Sequence, residues 1–370
     1  MGDRRSDAAR LSERRRDWPL VVRRARATDE DAVLGFASGT WDGWDYIPHA
    51  WPFWLDATDG VMLVACRPDD DRPVAVSRVA LVSPTEAWLE GIRVDPAVRG
   101  MDVATDMQVA ELQWAAAQRA NVIRYATGAR NEASHRLGAR HGFELLFSYR
   151  GYWWTDDPSD SGRDPSAFDP TVRAAATKMR RSLLAGMAAA GMVASPADTA
   201  VLWHRLHADA TFAAGHRLYE PRPWAMGELT GAAFARHVER GEVMVAGART
   251  DANDTDWALA ILLREQLAGE DSSLRLAIVS GAPRRVVELA EAARAISGQT
   301  LKFRVPEDSP LRTDGHGLLA AAGYRTSDWT LSMLGRPIDG THPIPQVDAS
   351  TLTLADAPAA VIEPPWRADD

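Results

Sequence analysis

Residues 19–154 alternate between short apolar runs and longer segments with helical spacing. Apolar runs rich in β-branched residues predict strands at PLVVR, VMLVACR, PVAVSRVALV, AWLEGIRV, VIRYATGA and FELLFSYRGYWW. Helical spacing predicts helices at DVATDMQVAELQWAAAQRA and NEASHRLGARHG. Three successive strands favour antiparallel pairing, and the strand–helix–strand unit favours a parallel pair, so we expect a mixed, mostly antiparallel sheet flanked by helices.

The second half of the chain repeats this order of strands and helices, which predicts a second domain of the same α/β (α+β) class. The segment between the halves is rich in Pro, Ser and Asp, and the C-terminal segment is rich in proline and acidic residues. We therefore expect a disordered arm at 1–18, domains at 19–155 and 171–338, a linker at 156–170 and a tail at 339–370.

Composition limits the classes of function. The net charge of −9 argues against nucleic-acid binding, which needs a basic face. No stretch approaches the roughly 18 apolar residues of a membrane span, so we expect a cytoplasmic protein without a membrane partner. The single cysteine, Cys66, lies in an apolar run and cannot form a disulfide within the chain. His204, His207 and His216 lie near Asp209, but a spacing of three residues is typical of one helix face, and we expect no metal.

The stretch EGIRVDPAVRGMDVATDMQVAEL, residues 90–112, passes from a strand into a helix through a turn that contains Arg99 and Gly100. The first N–H groups of a helix have no partner within the helix, and the helix dipole points the same way, which favours an anion such as a pyrophosphate. An ordinary strand–helix connection is the alternative interpretation of this turn.

Two motifs resemble those of the Gcn5-related N-acetyltransferase (GNAT) superfamily. Arg99 and Ala104 match the ends of its R-x-x-G-x-G/A coenzyme loop, and Asn131, Leu137, Gly142 and Phe143 fall at the spacing of its second motif. The resemblance implies two tandem GNAT-like domains, of which the first binds acetyl-coenzyme A as cosubstrate. It also implies a coenzyme-binding set of Ile92, Arg93, Val94, Arg99, Gly100, Met101, Asp102, Val103, Ala104 and Asn131, with the fourth and fifth strands parting beyond Ile92 and Val94.

Two residues depart from the family pattern. Asp102 replaces the central loop glycine and brings a carboxylate near the phosphates, and Gly138 replaces the tyrosine that often protonates the leaving thiolate. Water, Tyr149 or Tyr152 could serve instead, and we choose Tyr149. A thiol with a pKa of about 8.5 needs no strong acid near neutral pH.

We expect Glu90 to act as the general base, through water, because its apolar neighbours should raise its pKa. A glutamate at the strand edge, or one in an ion pair, for example with Arg93, is the alternative. The aromatic run at 41–54 would form the wall of the acceptor site, with Trp44, Asp45, Tyr46 and Trp51 as the substrate-binding residues. Asp42 or Asp45 could bind a cationic amine; a packed lid is the alternative interpretation of the run.

These residues predict an N-acetyltransferase that acts on the amine of a small molecule, such as a free amino acid. GWDYIPHAWPFWL and LEGIRVDPAVRG also resemble the histidine N-acetyltransferase group. The alternatives are acetylation of a peptide N-terminus or an antibiotic amine, and a coenzyme-binding sensor or interaction protein without activity. The oligomeric state and the acceptor stay open.

Overall fold

The computed structural model describes residues 18–40, 45–154, 182–222, 224–247, 254–262, 274–297, 301–345 and 352–355. By their contacts the residues group into two compact units. The first comprises Met1–Tyr125, Glu132–Glu144 and Gly335–Asp370; the second comprises Ala126–Asn131 and Leu145–Leu334. The predicted linker at 156–170 lies outside the described residues, and the predicted boundaries stay predictions.

The first unit contains a mixed sheet of six strands in the order β15-β1-β2-β3-β4-β5. Its strands are β1 (Leu20–Arg24), β2 (Gly60–Cys66), β3 (Pro73–Ser83), β4 (Glu86–Val94), β5 (Val122–Gly128) and β15 (Leu352–Ala355). The pairs from β1 to β4 are antiparallel, and β4 pairs with β5 in parallel. The helices are α1 (Glu30–Ala37), α2 (Ile47–Leu55), α3 (Val103–Ala117) and α4 (Glu132–Arg140).

The second unit repeats the same strand directions. Its described strands are β6 (Glu144–Trp154), β7 (Leu218–Arg222), β8 (Ala225–Glu228), β9 (Val243–Gly247), β10 (Trp257–Leu262), β11 (Leu274–Gly281), β12 (Leu301–Pro306), β13 (Tyr324–Thr326) and β14 (Leu331–Pro337). From β9 to β11 the pairs are antiparallel, and β11 pairs with β12 in parallel. This is the pattern of β2 to β5, with a helix again connecting the two parallel strands.

The named helices of the second unit are α5 (Thr199–Ala208), α6 (Ala210–Ala214), α7 (Gly231–Glu239), α8 (Pro283–Ser297), α9 (Pro310–Thr313) and α10 (His316–Ala321). Residues 182–189 are also helical. Strand β6 pairs with β12 and β13, so it completes the sheet of this unit. Sequence reasoning assigned 145–154 to the first domain, because the chain order does not reveal which sheet a terminal strand joins.

The C-terminal segment returns to the first unit. Strand β15 pairs in parallel with β1, although sequence reasoning gave this part of the chain to a proline-rich tail. The Gln113 side-chain amide of α3 also donates to the Pro345 carbonyl at 3.4 Å. Long-range pairing of this kind leaves no local pattern in a short strand, which is why it was missed.

Both faces of the first sheet carry a core. Helices α1 and α2 cover one face, where Trp51, Val64 and Cys66 are buried together. Burial also raises the pKa of the Cys66 thiol to about 12, which keeps it protonated and inert.

The opposite face of β3 meets α3. Glu111 of α3 is 2% exposed, and its Oε1 has no hydrogen-bond partner among the described residues. Burial raises the pKa of this carboxyl to about 8, while a hydrogen bond with Ser77 of β3 opposes the shift. A neutral, protonated Glu111 is therefore the form that the core accepts near neutral pH.

We predict that Glu111→Gln makes the protein less sensitive to alkaline pH. A pKa raised from 4.5 to about 8 means that the folded state holds a proton that the unfolded state has lost. The wild type should then lose stability between about pH 4.5 and 8, by at most about 1.4 kcal/mol per pH unit, and the amide variant should not. Urea unfolding at several pH values measures this. Glu144→Gln, at an exposed position, is the control; equal pH slopes for the wild type and Glu111→Gln would contradict the account.

Candidate functional site

The parallel ladder between β4 and β5 ends early. The paired residues are Glu86 with Val122, Ala87 with Ile123, and Trp88 with Arg124. Beyond Trp88, β4 continues to Val94 without a parallel partner among the described pairs, although the Ile92 and Val94 carbonyls accept hydrogen bonds from the Arg93 and Arg99 side chains. An extended ligand could pair with this edge. The opening starts at Leu89, earlier than Ile92 and Val94, where sequence reasoning set it.

A β-bulge lies within this unpaired part of β4. Val76 pairs with Arg93, and Arg78 pairs with Glu90. Between these two pairs β4 therefore contains one residue more than β3. Gly91 has a φ of +73°, and a Cβ on it would lie 2.7 Å from the Trp54 indole. Both the positive φ and the indole require glycine here. The bulge bends β4 and turns the backbone at Gly91 and Ile92.

The turn after β4 leads into the N-terminus of α3. Pro96–Val98 form a short 3₁₀ helix, and Asp95 caps it by accepting a hydrogen bond from the Ala97 N–H at 2.9 Å. The Arg99 Nε donates to the Val94 carbonyl at 3.3 Å, and this side chain is exposed. Helix α3 then begins at Val103, so its first N–H groups face the mouth of the turn.

Asp102 adopts a left-handed conformation with a φ of +58° at the N-cap of α3. Aspartate tolerates this region better than most residues other than glycine, which explains how it replaces the loop glycine. Its carboxylate makes no capping bond to the helix; instead Oδ1 accepts a hydrogen bond from Arg140 Nη1 at 2.7 Å. The carboxylate therefore leaves the N–H groups of the first turn unblocked.

Residues 6–143 match the family model described as Acetyltransferase (GNAT) family. The match covers a little over a third of the chain, and we refer to the matched residues as the GNAT domain. A comparison with the curated proteins finds no significant match.

Three solved acetyltransferases show weak similarity to the chain. A GCN5-related N-acetyltransferase from Sphaerobacter thermophilus is 14% identical with a TM-score of 0.46, over 90% of this chain and 98% of that one. One from Kribbella flavida is 13% identical with a TM-score of 0.39, over 86% and 71% of the two chains. An acetyltransferase of the GNAT family from Streptococcus pneumoniae is 14% identical with a TM-score of 0.30, over 35% and 88%.

Glu90 of the GNAT domain lies in an ion-paired setting, not in the apolar one that sequence reasoning expected. Arg78 of β3 is 1% exposed and pairs through Nη1 with Glu90 Oε1 and through Nη2 with Asp59. This matches the alternative of an ion-paired glutamate, with Arg78, the cross-strand neighbour of Glu90, as a partner. The three groups carry one more negative than positive charge, which favours a cation nearby.

Asp45 and Arg93 form a bidentate ion pair. Arg93 Nε and Nη2 lie 2.5 and 3.2 Å from the two Asp45 oxygens, and Asp45 also accepts from the Ile47 N–H at 2.9 Å. The guanidinium lies 5.3 Å from the centre of the Tyr46 ring. Asp45 is thus neutralised inside the domain, which differs from its expected role in binding a cationic amine.

The other residues expected at the acceptor site differ in their burial and contacts. Trp51 is 1% exposed and belongs to the core between α1, α2 and the sheet, so it supports the wall and does not line it. Trp54 packs edge-on against Tyr46, with ring centres 5.7 Å apart, and touches Gly91. Trp44 lies outside the described residues. Sequence reasoning missed Trp54, although its place in the same aromatic run was a signal.

By their contacts both Asn131 and Tyr149 are grouped with the second unit, although Asn131 lies within the stretch that matches the family model. The Asn131 amide donates to Thr127 Oγ1 at 3.0 Å. Tyr149 is 1% exposed, its hydroxyl has no partner among the described residues, and burial raises its pKa to about 12. Such a hydroxyl is a poor proton donor, so we leave Tyr149 out of the proposed mechanism.

Gly138 is explained by packing. A Cβ on it would lie 2.1 Å from the hydroxyl of Tyr125, a buried residue of β5. That hydroxyl donates to the Ser134 carbonyl of α4 at 2.9 Å, and the Tyr125 ring packs edge-on against Phe143. A glycine inside a helix lowers helix stability by about 1 kcal/mol relative to alanine. Its presence at position 138 was therefore a signal that another group approaches the helix backbone closely.

No group of three or more His, Cys, Asp or Glu side chains arranged for a metal is found among the described residues. In the same part of the chain, no helix is both long and apolar enough to cross a membrane.

We predict that Gly138→Ala lowers the free energy of unfolding by about 1–3 kcal/mol, because the new methyl group would overlap the Tyr125 hydroxyl. In a Tyr125→Phe background the same change should cost less, since the nearest remaining ring atom lies 3.2 Å from the Cβ position. Urea unfolding of the four proteins measures the difference. Gly35→Ala is the control, because its Cβ would have no neighbour within 4 Å. An equal cost of Gly138→Ala in both backgrounds would contradict this account.

Proposed function

We propose that the GNAT domain transfers an acetyl group from acetyl-coenzyme A to the amine of a small molecule such as a free amino acid. The observation that carries the proposal is the combination of an unpaired, bulged β4 edge with a helix N-terminus that its own N-cap side chain leaves unblocked. Acetyl transfer also requires a base near the edge that binds the thioester, and Glu90 precedes the bulge directly.

The residues of the turn fit the diphosphate of the coenzyme. The backbone N–H groups of Val103 and Ala104 belong to the first turn of α3, whose dipole favours an anion. Arg99 is exposed beside them and could add a charge-assisted bond to a phosphate oxygen. Gly100, Met101 and Asp102 supply the backbone of the turn. When bound, acetyl-coenzyme A would supply the acetyl group as a thioester.

The edge of β4 would bind the arm of the coenzyme. Backbone groups at Ile92, Arg93 and Val94 lie beyond the last paired residue, on the strand that the bulge bends. An N–H donor held in place there would stabilise the negative charge that develops on the carbonyl oxygen. The Arg93 side chain is already paired with Asp45, so only its backbone is assigned to this role.

Glu90 would accept the proton of the ammonium group, directly or through water. Its pairing with the buried Arg78 keeps the carboxylate in place, and the excess negative charge of Asp59, Arg78 and Glu90 would attract a cationic amine. The aromatic pair of Tyr46 and Trp54 offers an apolar wall beside it. An acceptor with a small apolar body and one amine fits this chemistry.

We further propose that the second unit is a GNAT-like copy without a coenzyme site. The repeated strand directions support the copy. Helix α8 begins at Pro283, and proline lacks the N–H group that an anion would need at the start of the helix. Its role would be structural, or in acceptor binding.

A coenzyme-binding sensor is the second candidate, because two observations favour it. Glu90 is engaged by Arg78, and the expected acid Tyr149 is fully buried. A sensor would bind acetyl-coenzyme A without releasing free thiol in the presence of any amine.

We predict that Glu90→Gln lowers kcat about 100-fold and leaves the KM for acetyl-coenzyme A within about threefold, because it removes the base and not the phosphate contacts. Arg99→Ala should instead raise that KM about tenfold with little change in kcat. Thiol release across a panel of amino acids and other amines measures both, with Glu132→Gln on exposed α4 as the control.

Thermal unfolding of each variant must accompany these assays, because Glu90→Gln leaves the buried Arg78 with one carboxylate partner fewer. Full activity in a folded Glu90→Gln variant would refute the assigned base. Coenzyme binding by the wild type without thiol release would favour the sensor.

A further inference from the structure

Asp102 and Arg140 form an ion pair at the mouth of the proposed coenzyme loop. Arg140, the last residue of α4, reaches α3 and donates from Nη1 to Asp102 Oδ1 at 2.7 Å and to Thr105 Oγ1 at 2.9 Å. Thr105 is the third residue of α3, so the guanidinium lies over the first turn of the helix. These contacts all fall within the first unit.

The ion pair between Asp102 and Arg140 contributes little to the free energy of unfolding. The Asp102 and Arg140 side chains are 60% and 58% exposed, and such pairs contribute roughly 0–1 kcal/mol. An aspartate at an N-cap ordinarily accepts hydrogen bonds from the helix N–H groups, but Asp102 makes none. The carboxylate is turned toward Arg140 and away from the groups that an anion would use.

The pair has a clear electrostatic consequence. An unpaired carboxylate at the start of α3 would repel a phosphate and would compete for the same N–H groups. Paired with Arg140, it is neutralised.

We propose that Arg140 is a positioning residue for coenzyme binding, needed because Asp102 occupies the loop position at which the family pattern has glycine. It holds the carboxylate away from the phosphate site and cancels its charge. This inference rests on the proposed function. It predicts a specific dependence: removing Arg140 harms binding when residue 102 is charged and matters much less when residue 102 is neutral.

A double-mutant cycle tests the dependence. Arg140→Ala, Asp102→Asn and the double variant would be titrated with acetyl-coenzyme A by calorimetry on the full chain. Asparagine keeps the size of residue 102 and tolerates the left-handed conformation while it removes the charge. Arg136→Ala is the matched control, because Arg136 lies on the same helix and pairs with Glu132 at an exposed site.

We expect Arg140→Ala to weaken binding about tenfold at low salt and less at high salt, since the uncovered charge is screened. In the Asp102→Asn background the same Arg140→Ala change should weaken binding by less than about threefold. Thermal midpoints should hardly change, because the pair is exposed. In turnover assays the loss should appear in the KM for acetyl-coenzyme A and not in kcat.

The same tenfold loss in both backgrounds would overturn the proposal, because Arg140 would then act by its own contact and not by compensating for Asp102. No loss in Arg140→Ala, or a loss matched by a fall in the thermal midpoint, would overturn it too. A wild type that binds no acetyl-coenzyme A would overturn the proposed function, and this inference with it; binding by the wild type separates the two failures.

Discussion

The early end of the parallel ladder between β4 and β5 is the constraint on which the proposed site depends. Two parallel strands joined by a helix ordinarily pair along their length, because each unpaired backbone group costs free energy when it is buried. Here pairing stops at Trp88 and Arg124, and the bulge at Gly91 bends the rest of β4. Beyond Trp88 this edge of β4 lacks the backbone hydrogen bonds of a parallel ladder, and a bound extended ligand would supply them.

Two sets of ion pairs give the proposed site charges that suit an anionic cosubstrate and a cationic acceptor. At the start of α3 an aspartate is neutralised by an exposed arginine, which leaves the helix N–H groups available. Below the bulge, the buried Arg78 joins Asp59 and Glu90 and leaves an excess of negative charge.

Apolar periodicity predicted strands β1 to β6 and helices α3 and α4 closely, because each is a contiguous run whose burial depends on its own pattern. The loop could also be located from the order of Arg99, Gly100 and Ala104. Side-chain partners could not be predicted. The pairing of Glu90 with Arg78 depends on the register of β3 and β4. Glycine is required at position 138 because the Tyr125 hydroxyl occupies the space of a Cβ there. Nor did local pattern show that β6 completes the second sheet or that β15 pairs with β1, since both are long-range pairings.

The most direct measurement is amide hydrogen exchange of the full chain with and without saturating acetyl-coenzyme A. The account predicts slower exchange in two places: the β4 edge after Trp88, and the turn that leads from Arg99 into the first residues of α3. Helix α8, which begins at Pro283, should not change. Unchanged exchange at both places under conditions where the coenzyme binds would show that it binds elsewhere and would contradict the central claim.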